Sequence, residues 1–385
     1  MKRSFGVVLF FFLIAVAAAQ KQSHSGYLIF LLGNDTTMAG SFSINNKAFD
    51  VTVVARPAVS VTKLKGTLFD NGELQSAEGY AYRPVPGKDS QLIIRYRLFV
   101  KDDSTFITQQ RGNDITVQRF AGRGLTANGI GAAFRYLLPF WGLFAPKQVG
   151  DSIVSGHLTL GGNRRLTLKR IAPDKLYGGS TVMGMMTLYL DKQGMVNYID
   201  AIGSSWNVIG KASGPMNLEA LANRYAQEEQ SGKGMSLIAR FDSVSADMGD
   251  ARMKIYYSRP QVRGRTIFGT VVPWDRFWRT GANAATRMVI TKPVYFGDKE
   301  LPAGAYSIWT LPSLRGWTMM FNSQANVWGT EYNPAYDVLK VPMQVGSPAA
   351  FTEVMTIEIQ PSDNGGTLNV IWENTKAALP FRIGK

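Results

Sequence analysis

Apolar and polar residues alternate along most of this chain, and the alternation restarts about every ten residues. The segment "SQLIIRYRLFV" (90–100) sets Leu92, Ile94, Tyr96, Leu98 and Val100 against Ile93, Arg95, Arg97 and Phe99. In "ARMKIYYS" (251–258), Met253, Ile255 and Tyr257 alternate with Arg252, Lys254 and Tyr256. A period of two is what a strand with one buried face requires. Asn71-Gly72, Gly161-Gly162-Asn163, Asp191–Gly194 and Asn364-Gly365-Gly366 fall between such runs, where hairpin turns are expected.

Two stretches break the alternation. Residues 129–147, "GIGAAFRYLLPFWGLFAPK", are almost wholly apolar, and Pro139 forbids one regular helix through their middle. This segment reads either as a buried plug or as a lid or membrane-facing loop. In "SGPMNLEALANRYAQEEQSGKG", Asn217 can cap a helix with Glu219 in its first turn and Leu218, Leu221 and Tyr225 as an apolar stripe.

The predicted fold is therefore all-β. An antiparallel domain over 26–213 curls into a barrel, half-barrel or sandwich. A helical linker spans 214–235, and a sandwich or jelly-roll-like domain follows over 236–385. "GNDTTMAGSF" from Gly33 and "GNDITVQRF" from Gly112 resemble each other, which a shared Gly-Asn-Asp turn or an internal duplication would explain.

The first nineteen residues pair Lys2 and Arg3 with an apolar run and end in Ala17-Ala18-Ala19. This is the pattern of a secretory signal peptide, so an exported, periplasmic or extracellular protein is expected. The chain has no Cys, which excludes disulfides, thiol nucleophiles and thiolate zinc sites. Its net charge of +14 favours anionic partners or envelope association, but the basic residues are scattered, so nucleic acid is not expected.

The candidate chemistry is sparse. Only His24 and His157 are present, no G-x-S-x-G elbow occurs, and converging His ligands for zinc are lacking. Ser60-Val61-Thr62-Lys63, Ser362-Asp363-Asn364 and Arg279-Thr280-Gly281 imitate the motifs of penicillin-recognising serine enzymes, but in the wrong order. No cofactor or metal is expected. Six of the eight tryptophans lie in the second half. Trp309, Trp317 and Trp372 sit in alternating strands and read as core. Trp274 and Trp278 flank "DRF" and are the better surface candidates.

"YSRP", "GRTIFGTVVPWDRFWRTGANAATRMVITKPV", "LPAGAYSIWTLP", "WTMMFN", "VWG", "DVLKVPMQV" and "DNGGTLNVIWENTKAALPF" follow one another over about residues 251–382. Read in this order, they resemble the bacterial domain-of-unknown-function 2911 family, to which no activity is attached. That family's core motif resembles W-R-T-G-A-N-E-A-T, and Ala284 stands here where a Glu is usual.

"WRTGANAAT" (278–286) has two readings. Thr280, Gly281 and Ala282 suit a tight crossing between strands, with Arg279, Asn283 and Thr286 bonded to loop backbone. Alternatively, Arg279, helped by Arg259 or Arg265, binds a carboxylate or phosphate. The candidate binding set is Arg259, Arg265, Trp274, Trp278, Arg279, Thr280, Asn283 and Thr286. The leading expectation is a non-catalytic binding protein for an anionic or glycan-type ligand. The alternatives are a hydrolase using a carboxylate pair, and lipid carriage by the first domain.

Overall fold

A computed structural model describes residues 23–159 and 162–384. The segment read as a signal peptide lies outside the described residues. The protein is almost entirely β, with two antiparallel domains and a short helix between them.

Among the described residues, fifteen strands form the first sheet, and its order is not the chain order. The N-terminal strand Ser23–Leu32 lies in the middle. Successive hairpins run outward from it to Asp114–Ala121 at one edge. On its other side Ile209–Ser213 pairs with it, and the remaining strands follow in reverse to Ser152–Thr159 and Thr126–Ala127. The central seam pairs Tyr27 with Ser213 and Leu31 with Ile209. Strands of up to eleven residues twist this sheet until it nearly closes on itself. Gly33 and Gly112 each take the positive φ (59° and 57°) that a two-residue hairpin turn demands, so turn chemistry accounts for the two Gly-Asn-Asp phrases.

The segment 129–147 is a plug. A 3₁₀ helix, Asn128–Leu137, leads into α1, Leu138–Phe144, with Pro139 in the first turn, where its missing N–H costs nothing. Tyr136, Leu137, Leu138, Phe140 and Trp141 are buried in the hydrophobic core of the sheet. Tyr136 packs edge-on to Phe30 at 5.5 Å and its hydroxyl donates to Leu28 O (3.1 Å). A nearly closed sheet leaves an apolar inner face, and this plug covers it.

The helix α2, Leu218–Gln230, is capped by Asn217, whose side chain accepts from Ala220 N at 3.0 Å. It lies on the first domain. Ala222 and Tyr225 pack with Val54, Val59 and Val61, and Arg56 lies over the Tyr225 ring at 4.2 Å. The Glu229 carboxylate accepts the Val59 N–H through both oxygens, at 3.0 and 3.1 Å.

The second domain is a sandwich around a core that includes Trp317, Phe321, Leu368 and Trp372. One layer contains Ala239–Met248, Ala251–Pro260, Thr286–Ile290, Gly304–Leu311 and Trp317–Asn322. The other contains Thr352–Ser362, Gly365–Glu373 and Thr375–Ile383. The strand Asp337–Gly346 joins them, pairing first with Trp317–Asn322 and then, from Gln344, with Thr375–Ile383.

The two domains touch through polar contacts. Arg263 pairs with Asp35 at 2.5 Å, and Trp328 Nε1 donates to Val182 O at 3.0 Å. Thr330 Oγ1 donates to the carbonyls of Thr181 and Val182.

Candidate functional site

The segment 278–286 is a loop stitched to its neighbours by backbone. Trp278 and Thr310 exchange two N–H···O bonds of 2.8 Å, Ala285 N donates to Val327 O (3.1 Å), and Gly329 N donates to Asn283 O (3.1 Å). Within the loop, Thr286 Oγ1 donates to Thr280 O at 2.6 Å and Trp278 Nε1 to Gly281 O at 3.1 Å. Thr280 (φ 51°) and Asn283 (φ 63°) both take the left-handed region. For the β-branched Thr280 this conformation costs about 1–3 kcal/mol. The many bonds around it hold the strained turn in place.

What the turn positions is Arg279. Its side chain is 7% exposed, Nη1 reaches Gly329 O only at 3.5 Å, and Nε has no partner. Burial lowers its pKa to about 10, which leaves it a cation at neutral pH. Burial is the sole cause of that shift, and among the described residues no carboxylate pairs with this guanidinium. An isolated buried charge is expensive, and folds rarely retain one without a partner.

Arg279 faces a cavity of about 570 Å³ that lies between the domains. The first domain contributes Tyr177, Met185, Ile202, Trp206 and Asn207. The second contributes Arg265, Arg276, Phe277, Trp278, Arg279, Asn283, Tyr332 and Trp372. Among the described residues, the wall holds three arginines and neither Asp nor Glu. Arg265 donates to the carbonyls of Val262 (3.0 Å) and Gln261 (2.5 Å), and burial together with the nearby Arg263 lowers its pKa to about 10. Trp278, expected at the surface, is instead buried in the core of the second domain, where it stacks on Trp372 at 5.9 Å.

Of the residues expected to bind a ligand, Arg265, Trp278, Arg279 and Asn283 line this cavity. Thr280 and Thr286 are fully buried beneath it and shape the loop. Arg259 stands apart, with all three guanidinium nitrogens engaged by Met355 O, Asp242 and Thr356. Trp274 packs on Phe268 at 6.2 Å outside the cavity lining. The threonines of the loop thus bond within the turn, and its arginine borders the cavity. Ala284 faces the opposite side, an open cleft of about 700 Å³ with Phe241, Tyr256, Arg287 and Trp328.

Sequence reasoning missed Trp206, Phe277, Tyr332 and Arg276. Trp206 sits in "GSSWNV", a Ser-rich loop with no strand pattern, and only the packing of the two domains brings it to the second domain's arginines.

His157 lies elsewhere. Its Nδ1 is 2.8 Å from Ser180 Oγ and its Nε2 is 2.8 Å from Asn128 Oδ1. A Ser–His pair is shared with nucleophilic triads, but the third residue is a neutral Asn, and His157 is 1% and Ser180 5% exposed, which closes them to substrate. Burial lowers the His157 pKa to about 4 and keeps the ring neutral. The group is a satisfied polar knot that ties the start of the plug to the sheet.

No curated protein matches the chain. A crystal structure of a DUF1089 family protein from Pseudomonas aeruginosa is similar over 43% of this chain and 90% of that chain, at 11% identity and a TM-score of 0.30. A structure of botulinum neurotoxin type C covers 96% of this chain and 90% of its own, at 7% identity and a TM-score of 0.12. Likenesses this weak say nothing of function. Residues 240–381, most of the second domain, match the family described as protein of unknown function (DUF2911).

Proposed function

We propose that the protein is an exported binding protein whose ligand is a small organic anion, held in the cavity between the two β domains with Arg279 as its charge partner. The observation that carries this reading is the buried Arg279 guanidinium, which lacks a carboxylate and faces a wall of arginines without acids. An anion in that cavity would receive charge-assisted N–H bonds from a fork already fixed in place. It would also relieve the cost of the unpaired charge. The composition of the wall argues for binding in place of hydrolysis, because general acid–base cleavage of a glycoside needs two carboxyl groups across the substrate. Export is supported by the N-terminal charge and hydropathy pattern.

Isothermal titration against inorganic phosphate, sulfate, simple carboxylates, sugar acids and nucleotides tests the function. At least one anion is expected to bind to the wild type and not to Arg279→Met. If none binds, or if binding survives that substitution, the proposal fails. Fractionation of cells expressing the full chain tests export, and retention with the precursor mass in the cytoplasm would refute it.

A further inference from the structure

We infer that the anion carries a ring, aromatic or sugar, and that the ring is held between the domains, against Trp206 of the first and Phe277 of the second. This rests on the proposed anion-binding function and names the chemistry of its ligand.

Trp206 is held rigidly. Its backbone N–H donates to Ser204 Oγ (3.1 Å), Ser204 Oγ donates to Ala201 O (2.6 Å), and Asn207 Oδ1 accepts from Gly203 N (2.8 Å). Phe134 packs edge-on to its indole at 5.6 Å, and the Arg135 guanidinium covers a ring face at 4.6 Å. The indole also lines the cavity, so the contacts behind it fix its orientation there. Across the domain boundary Phe277 is 49% exposed, and it leans on Tyr332 at 4.4 Å. Aromatic rings at a cavity wall offer faces or edges for stacking or CH–π contact with a planar or cyclic body. A volume of about 570 Å³ holds one such ring with its substituents.

The charges act in the same direction. The Arg135 guanidinium on the Trp206 ring withdraws negative potential that would otherwise attract a cation to the indole. Arg265, Arg276 and Arg279 repel cations as well. A cationic ring is thus disfavoured, and an anionic one is attracted.

The test compares four probes on the full chain by titration calorimetry: inorganic phosphate, acetate, benzoate and glucuronate. Benzoate or glucuronate is expected to bind at least about tenfold more tightly than acetate and phosphate. The preferred one of the two distinguishes an aromatic from a sugar ring. Trp206→Ala should remove that advantage while leaving the weak phosphate and acetate binding within about twofold. Because Trp206→Ala strips a packed side chain, Phe277→Ala, on a half-exposed ring, is the second variant and should show the same selective loss. Arg279-dependent binding with no preference for a ring overturns this inference and leaves the binding function standing. Absence of any anion binding overturns both.

Discussion

Gly329 and Arg279 fit together as a notch and its occupant. A Cβ built at Gly329 would overlap Arg279 Cδ and crowd Asn283 O. The guanidinium lies where it does because residue 329 has no side chain.

Gly329→Ala should therefore push Arg279 out of its position. We expect anion affinity to fall by about tenfold or more, corresponding to at least about 1.4 kcal/mol. Titration calorimetry of Gly329→Ala beside Arg279→Met checks this; unchanged affinity in the alanine variant would show that the notch does not position the arginine.

Replacing the unpaired guanidinium with an apolar side chain of similar length should separate binding from stability. Arg279→Met is expected to raise the unfolding free energy by about 1–3 kcal/mol while abolishing anion binding. Urea unfolding of both proteins without ligand measures it. A destabilised Arg279→Met would mean that the arginine is primarily structural.

His157 gives the first domain a defined response to acid. Its folded-state pKa is lowered to about 4, below the ordinary value of 6.5, because burial disfavours the imidazolium. The unfolded chain therefore binds more protons between these values. Stability is fully present above pH 6.5, is lost as pH falls toward about 4, and changes no further from this group below that. The loss amounts to about 3 kcal/mol. Denaturant unfolding from pH 7 to 4 should show this slope in the wild type, and His157→Gln should flatten it. Equal slopes in the two proteins would assign the acid response to other groups.

The α2 helix should detach when its anchor to the first sheet is cut. Glu229→Ala removes the acceptor of the Val59 N–H, and we expect a loss of about 1–2 kcal/mol, with faster hydrogen exchange at Val59. Hydrogen exchange followed by mass spectrometry reads both the helix and residue 59. Protection unchanged in both would contradict the docking role.

Much of this architecture was legible because its signals are local. The alternation in 90–100 and 251–258 depends on neighbours two residues apart, and the strands Gln91–Lys101 and Ala251–Pro260 follow it. Asn217 caps a helix through contacts within three residues. Strand order was not legible, because the pairing of Tyr27 with Ser213 leaves no trace in either segment. The site divides along the same line. Arg279 stood out as a charge among small residues. Trp206 and Gly329 acquire meaning only from what lies across the domain interface or across a turn, and neither spacing nor residue type could announce that.

The placement of the first strand at the middle of its sheet sets the order of assembly. As the polypeptide is delivered from its N-terminus, seven strands can add in turn to one side of Ser23–Leu32 as soon as each is available. The other side must wait for Ile209–Ser213, nearly the whole domain later. Until then the strand carries a bare row of amides and carbonyls, and the first domain remains a half-finished fan whose last-made rib completes its centre.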